Sequence, residues 1–203
     1  MVTIVGIGPG NKKFITPYAL EKIKKADVLV GGRRHLKEFE DVNCEKSVIN
    51  ASTDYQHILN KKGNIVILAS GEPSLYGITE VILEYVDESQ LEIVPGISSI
   101  QYMCAKLKMT MNDLTVVSLH GRSEDLVKKV KENKKVVIFT DKAHTPQFIA
   151  ALLKKANLQD RKIHVGENLS YDNERIYSFT VEELLNCSKK FDLNVVVITC
   201  GNI

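Results

Sequence analysis

Apolar residues along this chain follow two alternating rhythms. Short apolar runs at residues 2–7, 28–30, 65–69 and 91–94 read as strands, with a further short strand at 47–49. The run at 65–69 is uniformly apolar, which suits a strand covered on both faces of a parallel sheet. Between these runs the period lengthens. Residues 16–26 place Tyr18, Ala19, Ile23 and Ala26 at helical spacing, with Pro17 in a favoured first-turn position. Residues 79–86 and 97–108 also read as helices, and a basic helix starts after Gly31-Gly32. A repeated βα pattern of this kind makes a parallel sheet with right-handed crossovers.

The rhythm breaks at 109–113, which places a domain boundary there: one α/β domain over 1–110, another over 111–203. The second begins with a strand at 114–119, a helix at 123–133, a strand at 136–140 and a helix at 146–156. Strands at 163–167, 175–179 and 195–199 follow, with only a short helix at 181–187 between the last two. That ending predicts a mixed sheet. The fold class is therefore α/β: two α/β domains, the first built on a mostly parallel sheet, with the ligand site expected in a cleft between them.

Composition narrows the class. The chain has 203 residues, 44% hydrophobic and 26% charged, values that exclude a disordered or coiled-coil protein. A formal net charge of +2 argues against nucleic acid as the main partner. No apolar run approaches the roughly 20 residues that span a bilayer. The start lacks a basic n-region and reads as a strand entering a turn, so no membrane partner and a cytoplasmic location are expected. Cys44, Cys104, Cys187 and Cys200 are scattered and show no metal-ligand spacing, so no metal is expected.

In open α/β sheets ligands bind beyond the carboxyl ends of the strands, so the turns there carry the information. After the first strand comes Gly6-Ile7-Gly8-Pro9-Gly10. Its glycine spacing fits neither a G-x-G-x-x-G fingerprint nor a Walker A loop, and on its own any strand-to-helix turn could carry it. After the fourth strand, Glu72 stands between Gly71 and Pro73, either receiving hydrogen bonds from a ligand or merely exposed in a turn. After the fifth comes Pro95-Gly96-Ile97-Ser98-Ser99, with Ser98 or Ser99 placed to cap the next helix.

In this order the three turns resemble the tetrapyrrole methylase family, two-domain (class III) methyltransferases that use S-adenosylmethionine. Gly31-Gly32-Arg33-Arg34-His35-Leu36, Val117-Ser118-Leu119-His120-Gly121-Arg122, Glu167-Asn168-Leu169 and Glu174-Arg175-Ile176 are similar to the branch that methylates C5 of a corrin precursor, cobalt-precorrin-7 or its precorrin-6Y counterpart. Two positions depart from the pattern. Glu72 stands where most relatives have Asp, and Ser170 where a Gly often follows the Asn-Leu pair.

The resemblance implies a role in cobalamin biosynthesis, a homodimer, and a methyl-donor pocket lined by Gly8, Pro9, Gly71, Glu72, Leu75, Ser98 and Ser99. The acceptor is a small tetrapyrrole edged with carboxylates, which suits fixed cations. Arg33, Arg34, His35, Arg122 and Arg175 stand at expected strand ends or helix starts and are the substrate-binding candidates. His120 is the candidate catalytic base, since imidazole titrates near working pH. Alternatives are a methylase of the same family acting at another position or substrate, or an NADP-dependent oxidoreductase. The latter is suggested because a glycine loop after strand one and arginines after strand two imitate a 2′-phosphate site.

Overall fold

The computed structural model describes residues 1–119 and 125–201. By its internal contacts the chain divides into two compact units, Met1–Ser98 and Ser99–Ile203.

The first unit carries five parallel strands: β1 (Val2–Gly6), β2 (Val28–Gly31), β3 (Glu45–Val48), β4 (Ile65–Ala69) and β5 (Leu91–Val94). Their order is β3-β2-β4-β1-β5, so β1 lies between β4 and β5. Every residue of β1, β2 and β4 is buried, which is why these strands read as unbroken apolar runs rather than alternating ones. Alternate side chains serve two cores. On one face Val5, Leu29, Val66 and Leu68 pack with Ala19 and Ile23 of α1 (Pro17–Lys24) and Leu36 of α2 (Arg33–Glu38). On the other, Ile4, Val30, Ile65 and Ile67 pack with Ile58 of α3 (Tyr55–Leu59) and Ile82 of α4 (Thr79–Leu83). Each fully buried aliphatic side chain contributes about 1.5–3 kcal/mol. Helix α1 begins where Thr16 accepts a hydrogen bond from the amide of Ala19 and Pro17 occupies the first turn.

The second unit opens with α5 (Ser99–Lys106) and continues through β6 (Leu114–Ser118), α6 (Leu126–Glu132), β7 (Lys135–Phe139), α7 (Pro146–Lys155), β8 (Arg161–Glu167), β9 (Arg175–Thr180), α8 (Val181–Leu185) and β10 (Asn194–Cys200). Its sheet is mixed, in the order β6-β7-β10-β8-β9, with β6 and β7 parallel and every other pair antiparallel. One face is covered by Leu126 and Val130 of α6, Ile149, Ala150 and Leu153 of α7, and Val181 and Leu184 of α8. A Cβ on Gly166 of β8 would stand 2.6 Å from the sulfur of Met103, so α5 packs on this sheet. The rhythm of the sequence puts the change of domain at residue 110; by contacts the division lies ahead of α5, because Met103 needs the surface that Gly166 leaves open.

Candidate functional site

The carboxyl edge of the first sheet draws three turns together. Gly8 and Gly71 form an antiparallel bridge, with the Gly71 amide donating to the Gly8 carbonyl at 2.9 Å. The Ile7 amide donates to the Ala69 carbonyl at 2.9 Å, so the turns after β1 and β4 are zipped for two residues beyond their strands. The turn after β5 joins them through Glu72. One carboxylate oxygen accepts from the Gly96 amide at 2.9 Å, the other from the Ser74 amide at 3.0 Å. The side chain between Gly71 and Pro73 thus ties one turn to the next.

Glycine is required where these turns touch. A Cβ on Gly96 would lie 2.2 Å from the Gly71 carbonyl oxygen, and one on Gly6 2.5 Å from the Gly96 nitrogen. Backbone meets backbone with no space for a side chain. Gly8 adds a φ of +78°, which L side chains rarely adopt. The Glu72 turn closes on itself: the Leu75 amide donates to the Glu72 carbonyl and the Thr79 hydroxyl to the Pro73 carbonyl at 2.8 Å.

Of the donor-pocket candidates, this edge brings Gly8, Pro9, Gly71, Glu72 and Leu75 together, and Ser98 is buried two residues beyond Gly96. Ser99 begins α5 in the second unit. Two glycines of the quoted motifs, Gly6 and Gly96, prove to hold the turns in contact. Their signal was present in the sequence as a glycine at or just beyond a strand end, Gly6 closing β1 and Gly96 following β5 after Pro95.

Arg33, Arg34 and His35 open α2, directly after β2. Both arginines are exposed, and Arg34 Nη2 lies 3.2 Å from His35 Nε2. Burial, reinforced by the Arg34 charge, pushes the His35 ring down to about 4. At neutral pH this ring is uncharged, a neutral hydrogen-bonding group and not one of the fixed cations among which the sequence places it.

In the second unit, His120 and Arg122 lie outside the described residues. Arg175 begins β9, exposed, with its guanidinium on the Glu174 carbonyl at 2.8 Å. Glu174 accepts from the Ser170 amide at 2.6 Å and pairs with Lys106 at 2.8 Å. Asn168 and Ser170 both have left-handed backbone, with φ of +48° and +69°. That is the conformation that a glycine at position 170 would adopt without strain. The buried Glu167 accepts from the Asp192 amide at 2.8 Å and pairs with Lys189 at 3.1 Å. After β7 the Asp141 carboxylate accepts from the Ala143 and His144 amides at 2.8 and 2.7 Å and lies 2.9 Å from His144 Nδ1. Sequence reading passed over this pair, although an Asp three residues before a His, just ahead of a Thr-Pro helix start, was legible.

Comparison with known proteins agrees with this geometry. Residues 1–185 fit the family model of the tetrapyrrole (corrin/porphyrin) methylases. The chain is 36% identical to a cobalt-precorrin-7 C(5)-methyltransferase of Salmonella typhimurium over 98% of both chains. It is 33% identical to a probable enzyme of the same name from Methanocaldococcus jannaschii, over 92% of each. Among solved structures, a cobalamin-biosynthesis precorrin-6Y methylase from Archaeoglobus fulgidus superposes with a TM-score of 0.74 at 25% identity, covering 99% of this chain and 98% of that one. A uroporphyrin-III C-methyl transferase from Thermus thermophilus, complexed with S-adenyl homocysteine, shares the fold with a TM-score of 0.80 at 18% identity, covering 98% and 96%. Turns, sheets and sequence lead to the same place: this chain belongs to the tetrapyrrole (corrin/porphyrin) methylase family.

Proposed function

We propose that this chain is an S-adenosylmethionine-dependent C-methyltransferase that methylates C5 of cobalt-precorrin-7 in cobalamin biosynthesis, acting in the cytoplasm as a homodimer. The observation that carries the reading is the junction of the turns after β1, β4 and β5 through Gly8, Gly71, Glu72 and Gly96. Relatives 33–36% identical over nearly their full length bear the corresponding name.

The donor suits this edge. Residues 6–10, 70–77 and 95–99 carry no Lys or Arg, although Lys12 and Lys13 follow the first stretch, and what they offer is backbone amides and carbonyls, serine hydroxyls and one carboxylate. An uncharged nucleoside with a zwitterionic tail is matched by such groups, and the glycine spacing 6–8–10 is not the G-x-G-x-x-G that seats a dinucleotide's pyrophosphate at a helix N-terminus. When bound, the donor supplies a methyl group on a cationic sulfur, electrophilic without a metal. Gly8, Pro9, Gly71, Glu72, Leu75, Ser98 and Ser99 are the residues assigned to hold it. Holding carbon, methyl and sulfur in line is the main service required, worth up to about 7–11 kcal/mol in favourable cases.

Arg33, Arg34, Arg122 and Arg175 are assigned to the acceptor's carboxylates, with the neutral His35 as a hydrogen-bonding group. His120 is the candidate base or hydrogen-bonding group after β6. The deciding experiment is incubation with methyl-labelled donor and cobalt-precorrin-7, following mass and carbon-13 NMR. The expected product gains one methylene, with the label on C5. A label on another carbon overturns the ring position, and protection from heat by NADPH but not by S-adenosylhomocysteine overturns the reaction class.

A further inference from the structure

Methylating a ring carbon that bears hydrogen releases one proton per turnover. The carbon forms its new C–C bond as the methyl–sulfur bond breaks, with that electron pair going to sulfur. The C–H bond then returns its pair to the conjugated ring, and the proton needs an acceptor. This section rests on the methyl-transfer reading above.

The described histidines differ sharply in fitness for that task. His35, at about 4, does not hold a proton at neutral pH. His164 is buried in β8, its Nδ1 2.8 Å from the Ser178 hydroxyl, and its Nε2 is buried without a partner among the described residues. At His57 the Asp54 carboxylate engages the backbone amide rather than the ring.

His144 is different. Its Nδ1 lies 2.9 Å from Asp141, whose carboxylate is itself pinned by two backbone amides. The ring stands edge-on to Phe148 of α7, with centroids 5.2 Å apart. A carboxylate at Nδ1 selects the tautomer with its proton there and leaves Nε2 as the basic nitrogen. It also stabilises the imidazolium that forms, a role that a neutral loop residue could not fill. Asp141 stays ionised throughout, since the hydrogen bonds from the His144 and Ala143 amides and the His144 ring hold its carboxyl at about 2. The pair follows β7, whose neighbour β6 runs parallel to it, so both strands end on the same edge of the second sheet.

We propose that His144, held by Asp141, is the general base that takes the proton from the methylated ring carbon. Asp141 is then a positioning residue that acts through the imidazole. Among the described residues Asp141 is the charged partner of the ring; Lys142 lies between the two in the chain, and α7 presents the uncharged Phe148 to the imidazole.

The test compares wild type, His144→Gln, Asp141→Asn and His120→Gln with donor and cobalt-precorrin-7, reading kcat across pH, donor KM and Tm. His144→Gln is expected to lower kcat by about 10²–10⁴-fold and abolish the acid limb of the profile, with donor KM and Tm unchanged. Asp141→Asn keeps an oxygen for the two backbone amides, so the loop survives. It is expected to cost about 10–100-fold in kcat. Nitrogen-15 NMR of the free enzyme is expected to show the Nδ1–H tautomer of His144, retained in Asp141→Asn because a single oxygen faces Nδ1 and both backbone amides, so that the loss in kcat there reports the missing charge. Wild-type kcat and pH profile in His144→Gln, an Nε2–H tautomer in wild type, or loss of the acid limb only in His120→Gln would each overturn the assignment alone. A wild type that leaves the corrinoid unmethylated overturns the parent reading and this one with it.

Discussion

At Gly96 a single hydrogen atom decides whether two turns can meet. A methyl group there would stand 2.2 Å from the Gly71 carbonyl oxygen, a backbone atom that cannot swing aside. Gly96→Ala is therefore expected to cost about 1–3 kcal/mol, the range for overpacking, and to weaken S-adenosylhomocysteine binding. Urea unfolding and isothermal titration check both; an alanine variant with wild-type affinity would separate this junction from donor binding. Glu72 is the second decisive residue, and its partners are amides of the chain itself. The histidines make a pH argument at the same scale. Burial lowers the pKa of His164, and burial with the Arg34 charge that of His35. As pH falls below about 6.5, the unfolded chain takes up these protons while the folded chain does not. Stability is thus full above that pH and declines as the solution is acidified, for His35 until about 4. Urea midpoints at pH 7 and pH 5 should differ less in His35→Gln and in His164→Gln than in wild type.

Helix α7 shows how much of an element is written locally. Thr145 accepts from the Phe148 amide, Pro146 fills the first turn, and Lys154 and Lys155 occupy the last. Ile149, Ala150 and Leu153 form the stripe buried in the core of the second unit. Leu153→Ala is expected to destabilise by about 2–5 kcal/mol and Thr145→Ala by about 1 kcal/mol, read by denaturant unfolding. All of this was legible, because caps and spacing are properties of consecutive residues. Strand ends were not. β8 begins at Arg161, two residues ahead of its apolar run, because Arg161 and Lys162 pair with Cys200 and Thr199 of β10. A backbone ladder asks nothing of the side chains at its margin. Helix 79–86 is likewise shorter than its periodicity suggests, with regular α-helix over Thr79–Leu83 and turns beyond.

For the whole molecule, binding of donor product couples to folding. S-adenosylhomocysteine at 100-fold excess over its Kd is expected to stabilise the folded chain by about 2.7 kcal/mol, visible as a rise in Tm. Arg33→Ala and Arg34→Ala remove exposed cations from α2. They are expected to raise KM for the carboxylate-edged acceptor, most at low ionic strength, while the affinity for S-adenosylhomocysteine stays at the wild-type value.

The alternation of apolar runs and helical stripes determined two α/β units, one parallel and one mixed, and marked the turns where chemistry belongs. Side-chain periodicity records only whether a residue faces core or water, and that is a local property. Which turns touch was decided by strand order. Because β1 sits between β4 and β5, residues 6–8, 71–72 and 96 share one edge although up to 90 positions separate them in the chain. The partners of Glu72, the need for hydrogen at Gly6 and Gly96, and the allegiance of α5 to the second unit, where Met103 meets Gly166, all follow from such long-range meetings, to which periodicity is blind.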